Sequence, residues 1–599
     1  MLIFDTVNRF IFSPAKSSID WCKERFTHKQ FMFLASVLVG LSAGMAAVVL
    51  KSFLHTIFVF ISENNVLRAY VFYAILPTTG ILITILLLKY VVRKKMFKGL
   101  SGLLEVIHKK SAIVPRLQMY SQIITSSITV GFGGSAGVEA PIVITGAAYG
   151  SNFARTYRLG QKDRTLLLAC GVAAGIGGAF NAPIAGVLFA LEVLALDVAI
   201  TAFIPLIMAS ASGALISKIL LGDDILLSFS IQKTIDYSTV FFYILLGVFA
   251  GIVSVYHVRV FHFVEKKMNS LKVNVINKAL IGGLLLACLI FLFPSLYGEG
   301  YQGIKWISSG NEINILKNSI LRPYFNHEWM LLIFILLLIL FKPFATGLTL
   351  GSGGNGGNFA PSLFMGAYLG FFISRICNLT FSTELPESNF TLVGMAGILS
   401  GIYHAPLTAI FLIAEITGGY GLMIPLMIVA SVSFAISKFF EPYSMDNKKF
   451  AENGDAVSKN KDELVLSSLQ VSELVDTEYQ AVHPNQSLGD FIDVVKLSTK
   501  NIFPVINGQN QFMGVILLDN IKEVMFNERL YSKIRVYELM TIPKEFATNG
   551  QSLEAILMFM DTHDYWFLPV VNNNEFSGFI SKNKILSNYR MKLKNTIIE

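Results

Sequence analysis

Glu139 is the one charged side chain in the 38 residues from Leu117 to Ala154, and it stands in the glycine-rich string Gly133-Gly134-Ser135-Ala136-Gly137-Val138-Glu139-Ala140-Pro141. A lone carboxylate in an apolar stretch long enough to lie in a bilayer costs about 3 kcal/mol or more and survives mainly on a polar pathway. Glycines open backbone conformations closed to other residues, and a proline just inside a helix start gives up an amide hydrogen that would lack an intrahelical partner. The remaining amides are unpaired and lie at the positive end of the helix dipole, which makes an anion site. Exposed amides are intolerable against lipid, so they should face a cavity holding something negative. The Glu139 carboxylate could fill that site and compete with a permeant ion. The competing reading is a carboxylate that only caps a buried helix; the glycines on its N-terminal side favour function.

The string occurs twice. Gly133 to Gly150 aligns without gaps on Gly353 to Gly370 at an offset of 361 − 141 = 220, with Gly137 on Gly357, Ala140-Pro141 on Ala360-Pro361 and Gly146 on Gly366. A second block, Gly171 to Glu192, aligns on Gly394 to Glu415 at 406 − 183 = 223, pairing Ala182-Pro183 with Ala405-Pro406 and Glu192 with Glu415. Two blocks in one order at nearly one offset argue for duplication over chance likeness of Gly/Ala-rich segments. Repeats with Gly/Pro-interrupted apolar segments at matching positions point to a transporter-like fold with its site between the halves near the bilayer midplane. Glu192 and Glu415, each nine residues after a proline, read as structural, supporting the fold through a hydrogen bond.

The elements that must position these residues are membrane helices. Of 599 residues 53% are hydrophobic and only 15% charged, against roughly 25% charged in soluble domains. Uncharged spans recur at Phe31 to Leu50, Thr165 to Leu191, Val198 to Ser217, Pro343 to Ser374 and Ile416 to Ser437, several longer than the ~20 residues of one crossing, which implies hairpins or broken helices. The chain reads as an all-α polytopic membrane protein followed by a soluble α/β tail. Its first 30 residues carry Asp5, Arg9, Lys16, Lys23, Arg25 and Lys29 and lack a compact apolar run ending at a cleavage site, so no cleaved signal peptide is expected. Basic residues there and at Arg93, Lys94, Lys95 and Lys98 suggest cytoplasmic segments. The net charge of +8 then reports topology, not nucleic-acid binding. Cys22, Cys170, Cys288 and Cys377 lie far apart and suggest neither a disulfide framework nor a zinc site.

Near Glu441 the composition changes: charges become dense and Asn and Asp gather in turns such as Val505-Ile506-Asn507-Gly508. The expected organisation is a cytoplasmic segment 1–30, a membrane domain 31–440 with halves 31–220 and 239–440, a linker 441–464 and a soluble region 465–599. Within the tail Phe503-Pro504-Val505 followed by Gly514-Val515-Ile516 is echoed by Leu568-Pro569-Val570 and Gly578-Phe579-Ile580, at offsets of 65 and 64. Each copy reads as strand, turn, strand and short helix, placing the two units near 465–530 and 531–592.

Together the motifs resemble the CLC family of chloride channels and proton-coupled chloride antiporters. Gly137 to Pro141 looks like its Gly-x-Glu-Gly-Pro segment with Ala140 for the usual glycine, Gly357-Asn358-Phe359-Ala360-Pro361 matches Gly-x-Phe-x-Pro, and Phe180-Asn181-Ala182-Pro183-Ile184-Ala185-Gly186 with Glu192 is also typical. The resemblance implies two inverted-topology halves, a pore in each subunit, a homodimer and cytoplasmic termini, in a plasma or bacterial inner membrane. It implies that Glu139 is the gating glutamate, that Gly137 and Val138 belong to the outer chloride site, and that the amides of Asn358 and Phe359 line the central one. The family's chloride-contacting serine falls on Ser101 in Leu100-Ser101-Gly102-Leu103-Leu104, where Leu100 and Leu104 replace a glycine and a proline. The pore tyrosine falls on Tyr443, or, aligned on Lys448-Lys449-Phe450, on Asp446. Antiporters of the family usually carry a glutamate directly after the position of Glu192. Val193 stands there, which favours a channel over the alternative, a chloride/proton antiporter.

The tail resembles a tandem pair of CBS domains. Such pairs bind adenosine nucleotides through an aspartate three residues past a Ser or Thr; here those positions read Leu517 and Asn520, then Ser581 and Lys584. Neither copy keeps the aspartate, so a dimerising or gating scaffold is the plainer reading than a nucleotide site, and no cofactor is expected. An integral-membrane enzyme is the competing class, but His55, His108, His404 and His563 show no metal-ligand spacing. A divalent-cation channel would want several acidic residues converging where Glu139 stands alone.

Overall fold

The computed structural model describes residues 19–63, 70–92, 96–109, 111–194, 202–222, 239–316, 319–320, 327–452, 466, 469–572 and 575–598. Arg93, Lys94, Lys95, the first 18 residues, the start of the span at Val198 and residues 453–464 of the linker lie outside them. The chain divides into two compact units, Met1–Asp455 and Ala456–Glu599.

Nine helices among the described residues of the first unit are long and apolar enough to cross a membrane. The first half comprises α1 (His28–Glu63), α2 (Tyr70–Leu86), α3 (Gly99–Lys109), α4 (Gln118–Gly131), α5 (Glu139–Thr156), α6 (Gln161–Phe180), α7 (Pro183–Glu192) and α8 (Phe203–Leu221). The second comprises α9 (Val240–Ser270), α10 (Val275–Leu292), α11 (Tyr301–Ser308), α12 (Glu328–Gly351), α13 (Phe359–Phe381), α14 (Glu387–Tyr403), α15 (Pro406–Ile416) and α16 (Met423–Phe440), with α17 (Met445–Glu452) after it.

The duplication appears as reciprocal bonds between residues 220 apart. Gly137 and Gly357 exchange both backbone hydrogen bonds, at 2.9 and 2.8 Å, in an antiparallel bridge. The Ser135 amide donates to the Thr349 hydroxyl and the Asn355 amide to the Thr129 hydroxyl, both at 3.1 Å. Such swapped pairs are the signature of a local two-fold axis, so the glycine strings that start α5 and α13 are clasped head to head. Behind them α5 packs on α6 as α13 packs on α14. A Cβ at Gly146 would overlap the Gly171 carbonyl oxygen, and one at Gly366 the Gly394 oxygen, the close backbone approach that small residues permit in membranes. Both inner helices end on a non-glycine residue in the left-handed region, Asn181 (φ 53°) and His404 (φ 55°), 223 apart; the Ala-Pro that follows each starts the next short helix.

Those short helices, α7 and α15, exchange carboxylates. Glu192 at the end of α7 accepts from the amides of Leu407 (3.1 Å) and Thr408 (2.7 Å) at the start of α15. Glu415 near the end of α15 accepts from Ile184 (3.0 Å) and Ala185 (2.9 Å) at the start of α7. Each carboxylate satisfies amides that have no intrahelical partner. Glu415→Ala strands two donors and is expected to cost about 1–3 kcal/mol, read as a lowered thermal unfolding midpoint in detergent. An unchanged midpoint would show that water serves those amides as well.

The second unit carries its own duplication. Hairpin β1 (Ile502–Ile506) and β2 (Phe512–Leu517) is repeated by β3 (Phe567–Asn572) and β4 (Glu575–Ser581), each antiparallel with a register shift after the same valine, Val505 or Val570. Parallel bridges Val482–Val505 and Ala547–Val570 precede them at an offset of 65. Helices α18 (Leu488–Leu497) and α19 (Leu553–Thr562) are capped by Ser487 and Ser552, and α20 (Lys582–Ile598) ends the chain. The copies interlock, Thr541 bridging to Val515 and Asp476 to Phe579. A Lys500 hydrogen bond at 2.7 Å holds the Asp476 carboxyl below its ordinary range.

Candidate functional site

Helices α5 and α13 begin at the clasped glycine strings, with Val138 and Asn358 as N-caps, so their amide ends converge. Glu139, the first residue of α5, is 1% exposed. One carboxylate oxygen accepts from the hydroxyl of Tyr301, the first residue of α11. The amides of Glu139 itself and of Ala360 act on the carboxylate, while Oε2 closes no hydrogen bond of full geometry. Oε2 lies against Gly137, where a Cβ would overlap it. The anion at this doubled helix start is therefore the protein's own carboxylate, as Glu415 and Glu192 are the anions at the starts of α7 and α15.

A cavity of about 280 Å³ lies on one side, lined among others by Ser101, Gly357, Asn358, Tyr403, Asp446 and Lys98. A second, of about 370 Å³, is lined by Lys51, His55, Tyr297, Glu299, Tyr301 and Trp306. Glu139 stands between them, since Ala140 beside it faces the first cavity and its hydroxyl donor Tyr301 the second.

Two buried lysines fix the surroundings. Lys342 Nζ bonds Ser135 Oγ (2.9 Å) and the Gly298 carbonyl (3.3 Å) and sits 4.7 Å over the Phe364 ring. Lys51 Nζ bonds the Ala179 carbonyl and that of Gly178, capping the end of α6. The Phe359 ring is held by Phe180 (5.6 Å), Phe189 (6.0 Å) and Tyr403 (5.8 Å).

Of the residues singled out by sequence, Glu139, Gly137, Val138, Asn358 and Phe359 are brought together at the clasp, and Ser101, on the first turn of α3, faces the first cavity. Tyr443 is not there: its side chain is 44% exposed, whereas Asp446 lines the cavity. Between α16 and α17, Glu441 is held by Arg259 (2.6 Å) and Lys448 (2.5 Å). Glu441 is the C-cap of α16, Pro442 follows it, and α17 starts at Met445, with Asp446 in its first turn. Val193 caps α7, 6% exposed, and lines neither cavity. In the second unit, the Lys584 amide donates to Ser581 Oγ (3.2 Å) and its ammonium to the Val475 carbonyl (3.3 Å).

Sequence reasoning passed over Glu299, Tyr301, Tyr403, Lys51 and Lys342. Two signals were available: Gly298-Glu299-Gly300, a glycine-flanked acid beside an apolar helix, and Lys342, an isolated cation inside an apolar run next to Pro343.

Comparisons agree with this architecture. The voltage gated chloride channel family model matches residues 79–438. The voltage-gated ClC-type chloride channel ClcB of Escherichia coli is 29% identical over 321 residues, 53% of this chain and 71% of that one. The H(+)/Cl(-) exchange transporter ClcA of Vibrio cholerae is 29% identical over 311 residues, 50% of this chain and 62% of that one. The crystal structure of a slow cyanobacterial Cl-/H+ antiporter shares the fold, with a TM-score of 0.61 at 21% identity, over 73% of this chain and all of that one. With clasped helix starts, duplicated halves and a family match over most of the membrane unit, the chain belongs to the voltage gated chloride channel (CLC) family, a family of multi-pass membrane anion transporters.

Proposed function

We propose that this protein conducts chloride and other small anions passively through a pore in each subunit, with Glu139 as the gate. The observation that carries the reading is the Glu139 carboxylate seated at two joined helix starts between two cavities: an anion arriving there must displace it. Ser101 and the backbone at Gly137, Val138, Asn358 and Phe359 would contact the permeant ion. Val193, which cannot relay a proton, supports conduction over exchange.

The second reading is a chloride/proton antiporter. Relatives named as exchangers favour it, and so do the Tyr301 hydroxyl bonded to Glu139 and the ionisable Tyr403 and Asp446 that line the first cavity. In liposomes loaded with chloride, passive conduction is expected to drive no uphill proton uptake, and reversal potentials should follow the chloride gradient alone. Proton pumping of fixed stoichiometry, lost in Glu139→Ala, would establish exchange instead.

The assembly we infer is a homodimer in a bacterial inner membrane with both termini cytoplasmic, and a membrane domain over 31–440 joined by a linker to a tail of two CBS-like copies. The interlocked hairpins of the tail suit a scaffold that dimerises or gates. Its lysine-occupied ribose position speaks against an adenosine nucleotide there.

A further inference from the structure

We propose that Tyr301 is the latch of the gate: its hydroxyl holds the Glu139 carboxylate at the helix start, and the strength of that hold sets how much chloride is needed to open the pore. This rests on the reading of Glu139 as the gate.

The Tyr301 hydroxyl donates to Glu139 Oε1, whereas Oε2 closes no hydrogen bond of full geometry. A hydroxyl on an ionised carboxylate makes a charge-assisted bond, one of the stronger kinds. Both partners are buried, 6% and 1% exposed, and in such surroundings a hydrogen bond is electrostatically stronger than in water.

The donor is anchored from both halves of the membrane unit. Tyr301 opens α11 directly after Gly300, whose φ of 89° lies in the left-handed region and where a Cβ would overlap the Phe364 ring of α13. Two residues earlier in the loop, the Gly298 amide donates to the Gly133 carbonyl at 3.1 Å, and Lys342 joins the Gly298 carbonyl to Ser135. Tyr297 lies against Gly133, where a Cβ would overlap its ring, and α11 packs on α13 and α14. The loop is thus tied to the glycine string before α5 on one side and to α13 on the other. A carboxylate that gives way to an anion therefore moves away from a stationary hydroxyl, and the bond is specific to the closed gate.

Where only a fraction of molecules has the site open, the apparent affinity for the ion falls by that fraction. Weakening the latch enlarges the fraction and lowers the chloride concentration at half-maximal flux. Were the hydroxyl instead a ligand of the permeant ion, its loss would raise that concentration.

The test is the initial rate of chloride efflux from liposomes as a function of internal chloride, with the full chain and its variants Tyr301→Phe, Glu139→Ala and Tyr301→Phe/Glu139→Ala. Phenylalanine keeps the ring and removes only the donor; elution and thermal midpoint in detergent should match the unsubstituted protein. Tyr301→Phe is expected to lower the half-saturating chloride about tenfold, equivalent to about 1.4 kcal/mol, and to change the maximal rate far less. Added to Glu139→Ala it should shift nothing further. A half-saturating concentration unmoved or raised by Tyr301→Phe would overturn the proposal, and so would the same fall in the Glu139→Ala background, since the hydroxyl would then act on the pore without the gate. Glu139→Ala with unaltered half-saturation and flux would instead overturn the gate reading beneath it.

Discussion

Glu139→Ala is expected to raise chloride flux at neutral pH by about tenfold or more and to flatten its dependence on pH. The carboxylate is a tethered competitor: it lies buried at the start of its own helix and takes a hydrogen bond from Tyr301. If displacing it costs only about 1.4 kcal/mol, anion occupancy of the site falls tenfold. Alanine removes the competitor together with the carboxyl whose protonation would free the site. Folding should survive, because the substitution also removes a buried charge. Glu139→Gln should show the same loss of pH response, with a smaller gain in flux where the amide still reaches the site. Flux and pH profiles unchanged in both variants would reduce Glu139 to a helix cap.

Gly146→Val is expected to abolish recovery of folded protein, at a cost of at least about 3 kcal/mol, the upper end of ordinary overpacking. Most oversized core residues are accommodated by neighbouring side chains, but here the obstacle is the Gly171 carbonyl, part of a helix that cannot retreat without opening the α5–α6 contact. Gly366→Val should do the same against Gly394 in the second half. Gly160→Ala, at a position with nothing within 4 Å, is the control and should elute as the unsubstituted protein does. Normal elution and thermal midpoint of Gly146→Val in detergent would show that the two helices are not packed so closely.

What the sequence made legible follows from scarcity. Charges are so rare between Leu117 and Ala154 that Glu139 stands out, and the repeat of Gly-Gly-x-x-Gly and Ala-Pro at one offset exposes the duplication before any fold is known. Glu299 and Tyr301 were illegible for the opposite reason. They lie in a connection between apolar helices, where an acid and an aromatic are ordinary, and it takes contacts distant in sequence, the Gly133–Gly298 bond and the Lys342 bridge, to bring that connection to the α5 start. Lys51 and Lys342 sit at or within apolar spans, yet nothing in linear spacing says that one caps α6 and the other joins two loops. Tyr443 against Asp446 could not be decided from the string because a helix end is fixed by its partners. Here the partners are Arg259, 182 residues upstream, and Lys448, 7 downstream.

The exchanged carboxylates of Glu192 and Glu415 also set a clock on biosynthesis. The start of α7 is complete only when Glu415 arrives, and Ile184 and Glu415 are 231 residues apart. At ribosomal rates of about 5–20 residues per second, roughly 10–50 s pass between synthesis of those amides and synthesis of their acceptor. Throughout that interval the first half must be held in the membrane with bare helix ends, by lipid headgroups, water or the insertion machinery, and a ribosome stalled in the second half would leave it so.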